Sequence, residues 1–219
     1  MNDAVRKNRE CCEGKVWISE KEWKRSGDLF GLPDFCFSRI NEPLTDAISY
    51  SDVLVHLANS MNLEEYLEIG VSVLKNFYQV ACNTKCNLIA FDINQKNPCV
   101  DIPREYRYIQ GNVLNKDDWK PLKDLNKKHN LIFSDALHSN EGLQAEFDNY
   151  ILDHLADKWV IVWDDAWSAP VQHIKQNFIP ELMKRYGDVY MRLATVQEWV
   201  RGKTHPIFIV SNCKFNLGD

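Results

Sequence analysis

From Glu65 onward, short apolar runs alternate with segments of helical periodicity, and that alternation is the pattern of a parallel sheet flanked by helices. The runs are Tyr66–Ile69, Leu88–Phe91, Tyr106–Ile109, Leu131–Phe133 and Trp159–Trp163. Between them, Val73, Phe77, Val80 and Ala81 recur at i, i+4, i+7 and i+8, and so do Leu143, Phe147, Tyr150 and Ile151, which puts each set on one face of a helix. Pro170 is placed to open a further helix carrying Val171, Ile174 and Phe178, and Pro180 to kink or restart it before Leu182 and Met183. Val189–Arg192 and Pro206–Val210 bring the expected strands to seven.

Upstream the pattern changes. Trp17, Trp23, Phe30, Phe35 and Phe37 are scattered among Gly, Pro and charge, and one amphipathic stretch follows, with Ile48, Val53, Leu54, Leu57, Ala58 and Met61 at helical spacing. Residues 1–62 are therefore expected to form a cap or lid packed on a core of residues 63–219, and 219 residues suit one domain with such an extension. A hydrophobic fraction of 45% with 26% charged residues fits a soluble globular chain with a buried core. Every apolar run falls well short of the roughly 18 residues a membrane span needs, so no membrane partner is expected. The charged amino end has no apolar segment behind it, which argues against a secretory signal and for a cytoplasmic protein. The formal charge is −5 and no stretch clusters Lys and Arg with aromatics, so no nucleic-acid partner is expected either. Seven Cys without Cys-x-x-Cys spacing read as reduced thiols. The aromatic amino-terminal segment could cover its own core or a neighbour's, so a homo-oligomer is compatible with the sequence.

In an open parallel sheet, ligands bind outside the carboxyl ends of the strands. The five exits read Glu68-Ile69-Gly70-Val71-Ser72, Asp92-Ile93-Asn94, Gly111-Asn112, Asp135-Ala136-Leu137-His138 and Asp164-Asp165, each with an acidic or amide side chain. Asp92 stands 24 residues after Glu68, near the spacing at which a carboxylate ending the second strand accepts hydrogen bonds from ribose hydroxyls. A dinucleotide would also need a Gly-rich turn for its pyrophosphate, and this turn has one Gly. A nucleoside that carries a positive sulfur in place of phosphate tolerates both the acidic rim and the poor Gly content.

These residues resemble the class I S-adenosylmethionine-dependent methyltransferases, specifically the metal-dependent small-molecule O-methyltransferase branch, over roughly Glu65 to Trp167. The resemblance implies a Rossmann-like α/β fold, a seven-stranded and mostly parallel sheet with helices on both faces. It implies a methyl transfer from S-adenosylmethionine to a hydroxyl of a small-molecule acceptor. Glu68, Gly70 and Ser72 would surround the methionine part of the cofactor, Asp92 the ribose, and Asn112 the adenine amine, with Asp135 beside them. Phe133 to Gly142 is similar to the family's Asp-Gly-Asp-His-Ser-x-Glu-Gly motif: Asp135, His138, Ser139, Glu141 and Gly142 match, and Leu137 replaces the second Asp. By the same likeness Asp135, Asp164 and Asp165 would hold one divalent cation.

Carboxylates at the ends of adjacent strands repel, and a hard ion such as Mg²⁺ removes that cost while leaving positions for water and substrate oxygens. His138, just beyond Asp135, is placed to take the acceptor's proton. Leu74 and Lys75 stand where family members have small residues. A second hypothesis is therefore a methyltransferase-like fold that has lost catalysis and acts as a binding or regulatory protein. A metal-dependent hydrolase is a third, with no second cluster of His ligands to support it.

Overall fold

The computed structural model describes residues 48–72, 74–95, 102–197 and 204–217; the aromatic residues of the first 47 positions and Trp199 lie outside that set. The described elements are α1 (Tyr50–Ser60), β1 (Glu65–Ile69), α2 (Lys75–Asn83), β2 (Asn87–Asp92), β3 (Arg107–Gln110), α3 (Lys120–Lys123), β4 (His129–Ser134), α4 (Asn140–Asn149), β5 (Leu155–Trp163), α5 (Ser168–His173), α6 (Ile179–Tyr186), β6 (Tyr190–Gln197) and β7 (Thr204–Ser211). The strands form one sheet in the order β3-β2-β1-β4-β5-β7-β6. β1 to β5 pair in parallel, whereas β7 is antiparallel to both of its neighbours. This is the expected seven-stranded, mostly parallel α/β sheet. The chain order reverses between β1 and β4, so the loops after those strands diverge and leave a crevice between them.

Side chains alternate across the sheet with period two. Tyr66, Leu88, Leu131, Phe133 and Val160 pack on one face under α1 and α2, which contribute Leu54, Leu57, Phe77 and Val80. Leu67, Ile89, Ile132, Ile161 and Trp163 pack on the other, under α4, α5 and α6, with Phe147, Val171 and Leu182. Each such fully buried side chain contributes about 1.5–3 kcal/mol, so the two faces together hold the frame rigid beneath the loops.

Several boundaries differ from the sequence expectation. β5 begins at Leu155, which pairs with His129 of β4, and the exposed Asp157 and Lys158 fall in the register shift before Val160 pairs with Leu131. α5 begins at Ser168, with Pro170 in its first turn, where the missing N–H has no helical partner to disappoint. At Pro180 the helix restarts, as the sequence implies. Residues Ile174–Phe178 form a π turn in which the N–H of Ile179 reaches back five residues to the carbonyl of Ile174, and Pro180 enters the first turn of α6.

Among the buried carboxyls of the described residues, one belongs to a helix rather than to a strand. Glu146 on α4 is fully buried; its Oε2 accepts from the Ser134 hydroxyl at 2.6 Å, while Oε1 has no protein partner. Burial pushes its pKa from 4.5 to about 8, against the Ser134 hydrogen bond, which lowers it. The folded state therefore keeps a proton that the unfolded chain gives up. The contribution is complete below pH 4.5, is lost as pH rises toward 8, and is level above that. Glu146→Gln, a neutral near-isostere, is expected to remove this slope and to be more stable than the wild type at pH 8 by about 2–4 kcal/mol. Urea unfolding at pH 5 and pH 8 measures it; an unchanged pH dependence in the variant would show that Glu146 is not the source.

Candidate active site

The frame presents the five loops at one rim. The N–H of Gly70 donates to the carbonyl of Phe91, that of Asp135 to Ile69 and that of Asp164 to Ser134, so the ends of β2, β1, β4 and β5 are held level. Gly70 occupies the crossing, at φ +83, where a Cβ would stand 2.4 Å from the carbonyl oxygen of Asp135 and 2.5 Å from the Cα of Ala136. Only glycine both adopts that backbone angle without strain and lets the two loops approach so closely.

Beside it opens a cavity of about 390 Å³ whose lining includes Gly70, Ser72, Asp92, Gly111, Asn112 and Asp135. Five of the six expected cofactor residues are thus brought together there. Glu68 is not. It shares a sheet face with Tyr66, two residues earlier, and is 1% exposed, with its Oε2 accepting from the Tyr66 hydroxyl at 2.5 Å. Burial raises its pKa to about 8, and the charge of Asp92 adds to that shift, so Glu68 lies beneath the cavity floor as a neutral acid at lower pH. The mouth of the cavity carries three of the exposed large aliphatic side chains, Ile93, Leu114 and Leu137.

The polar lining groups are partly engaged with the protein itself. Asp92 Oδ2 accepts from the N–H groups of Val71 and Ser72 at 2.7 and 2.8 Å, and Oδ1 from that of Asn94 at 2.8 Å. This folds the loop after β1 over the carboxylate, with Ser72 at φ +43 and Leu74 at φ +64. Leu74 does not enter the cavity; it is fully buried in the core beneath α2. The Lys75 side chain lies outside the described residues. Asn112 Oδ1 accepts from the N–H of Leu114 at 3.0 Å, which leaves one of its lone pairs for another donor.

On the other side of Gly70 lies the acidic rim. Asp135 has its carboxyl held well above the ordinary range, first by burial and then by the adjacent Asp164, with Glu68 and Asp165 adding. His138 bridges two of these acids, with Nε2 3.4 Å from Asp135 Oδ1 and Nδ1 3.4 Å from Asp165 Oδ2. Among the described residues, the donor atoms fall into two groups, each within 4.8 Å: Asp135, His138 and Asp164, and Asp164, Asp165 and His205. Asp164 is common to both, while the expected set Asp135, Asp164 and Asp165 does not form a single group. Of the six His, only His138 and His205 join the rim. His129 is buried at the far end of β4, where burial pushes its pKa down to about 3 and Tyr150 meets its Nε2 at 2.8 Å.

Two residues at this rim have no counterpart in the sequence reading. His205 is the second residue of β7, and because that strand runs backwards its amino end meets the carboxyl ends of the others; its Nδ1 is 3.0 Å from Asp165 Oδ1. Tyr50 opens α1, where Ser49 and Asp52 form a reciprocal capping box. It is 8% exposed, its ring lies 6.4 Å from that of His205, and its pKa is raised by burial and then by Asp164. Trp163 packs in the core, whereas Trp167 is 55% exposed with its ring 6.2 Å from His205.

No family model and no curated protein matches this sequence. Solved structures do match its fold. The O-methyltransferase TomG from Streptomyces achromogenes, in complex with S-adenosylmethionine, aligns with a TM-score of 0.57 at 16% identity over 93% of this chain and 94% of its own. The fold is that of the class I methyltransferases. An O-methyltransferase from Bacillus cereus, in complex with S-adenosylhomocysteine, aligns with a TM-score of 0.56 at 14% identity over 93% of this chain and 96% of its own. Among the described residues of this methyltransferase fold, no helix is long and apolar enough to cross a membrane.

Proposed function

We propose that this protein is an S-adenosylmethionine-dependent methyltransferase that acts on a hydroxyl of a small molecule, with a divalent cation at the acidic rim. The observation that carries the reading is the placement of the cavity. It lies at the switch point of the sheet, apolar at its mouth and acidic along its floor, and the acidic and imidazole rim begins at Asp135, which belongs to both. Ile93, Leu114 and Leu137 suit a flat purine, Asn112 its amine, Asp92 the ribose, and Gly70 the close passage of the cofactor's amino-acid tail. S-adenosylmethionine supplies a sulfonium methyl: an acceptor oxygen takes the carbon, the carbon–sulfur electron pair stays on sulfur, and the acceptor's proton must leave.

The chain's own residues provide for that proton and for the acceptor's orientation. His138 is held between Asp135 and Asp165 in reach of the rim, placed to receive the proton. The rim also passes a test for a cation. Asp164 Oδ1 is buried without a hydrogen-bond partner, and the neighbouring Asp164 charge helps to hold the Asp135 carboxyl above the ordinary range. Asp164, the donor common to both groups, with Asp135 and Asp165 beside it, would hold the ion, which would lower the pKa of a bound hydroxyl.

The engagement of Asp92 by Val71 and Ser72 favours a second reading, a methyltransferase fold that binds without catalysing. Calorimetry with S-adenosylmethionine and S-adenosylhomocysteine separates both from the null case. The enzyme reading expects saturable binding with a Kd below about 1 mM and methyl transfer to an acceptor. Binding without transfer across a panel of phenols and aliphatic alcohols supports the second reading, and no binding of either compound removes the first.

A further inference from the structure

We propose that His205 supplies an imidazole nitrogen to the cation site, so that the site selects a borderline ion such as Mn²⁺ over Mg²⁺. This rests on reading the acidic rim as a cation site. Asp164, Asp165 and His205 place one nitrogen and two carboxylate oxygens within 4.8 Å of one another. The group is held by backbone as well as side chains. Asp165 sits at φ +46, the N–H of Trp167 donates to its carbonyl at 2.6 Å, and the N–H of Ala166 donates to the carbonyl of Pro206 at 2.9 Å, the residue next to His205. The β5–β7 ladder, which pairs Trp163 with Phe208, carries the two halves of the group on adjacent strands. The ring centroids of Tyr50 and Trp167 lie 6.4 and 6.2 Å from that of the imidazole.

The chemistry of the donors then decides the ion. Mg²⁺ takes oxygen ligands in near-ideal octahedral geometry and gives up water reluctantly, whereas imidazole suits later divalent ions. In a site for Mg²⁺ alone, His205 would stay on Asp165 Oδ1, 3.0 Å from its Nδ1, and only orient that carboxylate; in a site for a later ion it becomes a ligand. Asp164, whose Oδ1 is buried and unpartnered, belongs to both donor groups, so an ion bound to it has the His205 ring within its reach.

Electron paramagnetic resonance of the full chain with Mn²⁺ tests this, since binding removes the free-ion signal and spin-echo modulation reports nitrogen ligands. The expected result is Mn²⁺ binding about tenfold or more tighter than Mg²⁺ in competition, with ¹⁴N modulation. That modulation should change to the ¹⁵N pattern in protein labelled with ¹⁵N-histidine, a reading that needs no variant. In His205→Gln the modulation should vanish and Mn²⁺ affinity fall about tenfold, while Mg²⁺ affinity shifts by less than about threefold. Bound Mn²⁺ without nitrogen modulation, or modulation that persists in His205→Gln and disappears in His138→Gln, overturns the proposal and leaves the cation reading standing. No Mn²⁺ or Mg²⁺ binding by the wild type overturns both.

Discussion

Gly70→Ala is expected to lower the melting temperature by about 10 °C and to abolish cofactor binding. The new methyl would stand 2.4–2.5 Å from backbone atoms of Asp135 and Ala136, none of which belongs to a flexible side chain that can yield. Residue 70 would also keep a φ of +83, which costs an alanine about 1 kcal/mol or more. Relief requires β1 and β4 to part at the bond from the Asp135 N–H to the Ile69 carbonyl, which is the seam of the crevice. A cost of about 3–5 kcal/mol follows, and at about 2–4 °C per kcal/mol for a chain of this size the shift is easily read by calorimetry. A variant that melts within about 2 °C of the wild type would mean that the loops after β1 and β4 are not locked together.

Asp164→Asn is expected to act in opposite directions on stability and on turnover. It removes the charge that, after burial, does most to raise the Asp135 pKa, so the metal-free protein should melt about 2–4 °C higher. It also removes the donor common to both ligand groups, so cation-stimulated methyl transfer should fall by about a hundredfold or more, with S-adenosylhomocysteine affinity nearly unchanged. A carboxylate kept only for packing or helix capping would give the reverse: lower melting and intact turnover. Equal turnover in chelator-treated and cation-supplied wild type would take the cation out of the chemistry.

The central strands were legible because Leu67, Ile132 and Ile161 and their neighbours are buried on both faces, so apolar runs mark them without help from the rest of the fold. The extension of β5 back to Leu155 and of β6 to Gln197 was not, since each follows from a backbone pairing, His129 with Leu155 and Gln197 with Thr204, that the apolar pattern does not encode. Acidic exits could be placed on one rim by counting strands. His205 could not, because its position depends on β7 running backwards between β5 and β6, a matter of strand order that no local pattern encodes. Tyr50 reaches the same rim only through the packing of α1 across the sheet. The engagement of Asp92 by Val71 and Ser72 follows from positive φ angles at Ser72 and Leu74, residue types that give no warning of them.

All of the chemistry depends on the cavity beside Gly70 and the rim from Asp135 to His205 forming one continuous site for cofactor, cation and acceptor. A crystal structure of the protein grown with S-adenosylhomocysteine and Mn²⁺, with anomalous data to locate the ion, addresses this directly. The expected map shows the adenosine between Ile93 and Leu114, its ribose on Asp92 with the Val71 and Ser72 N–H groups released, and one anomalous peak against Asp164. Adenosine density elsewhere, or a rim without an ion while the cofactor is bound, would contradict it.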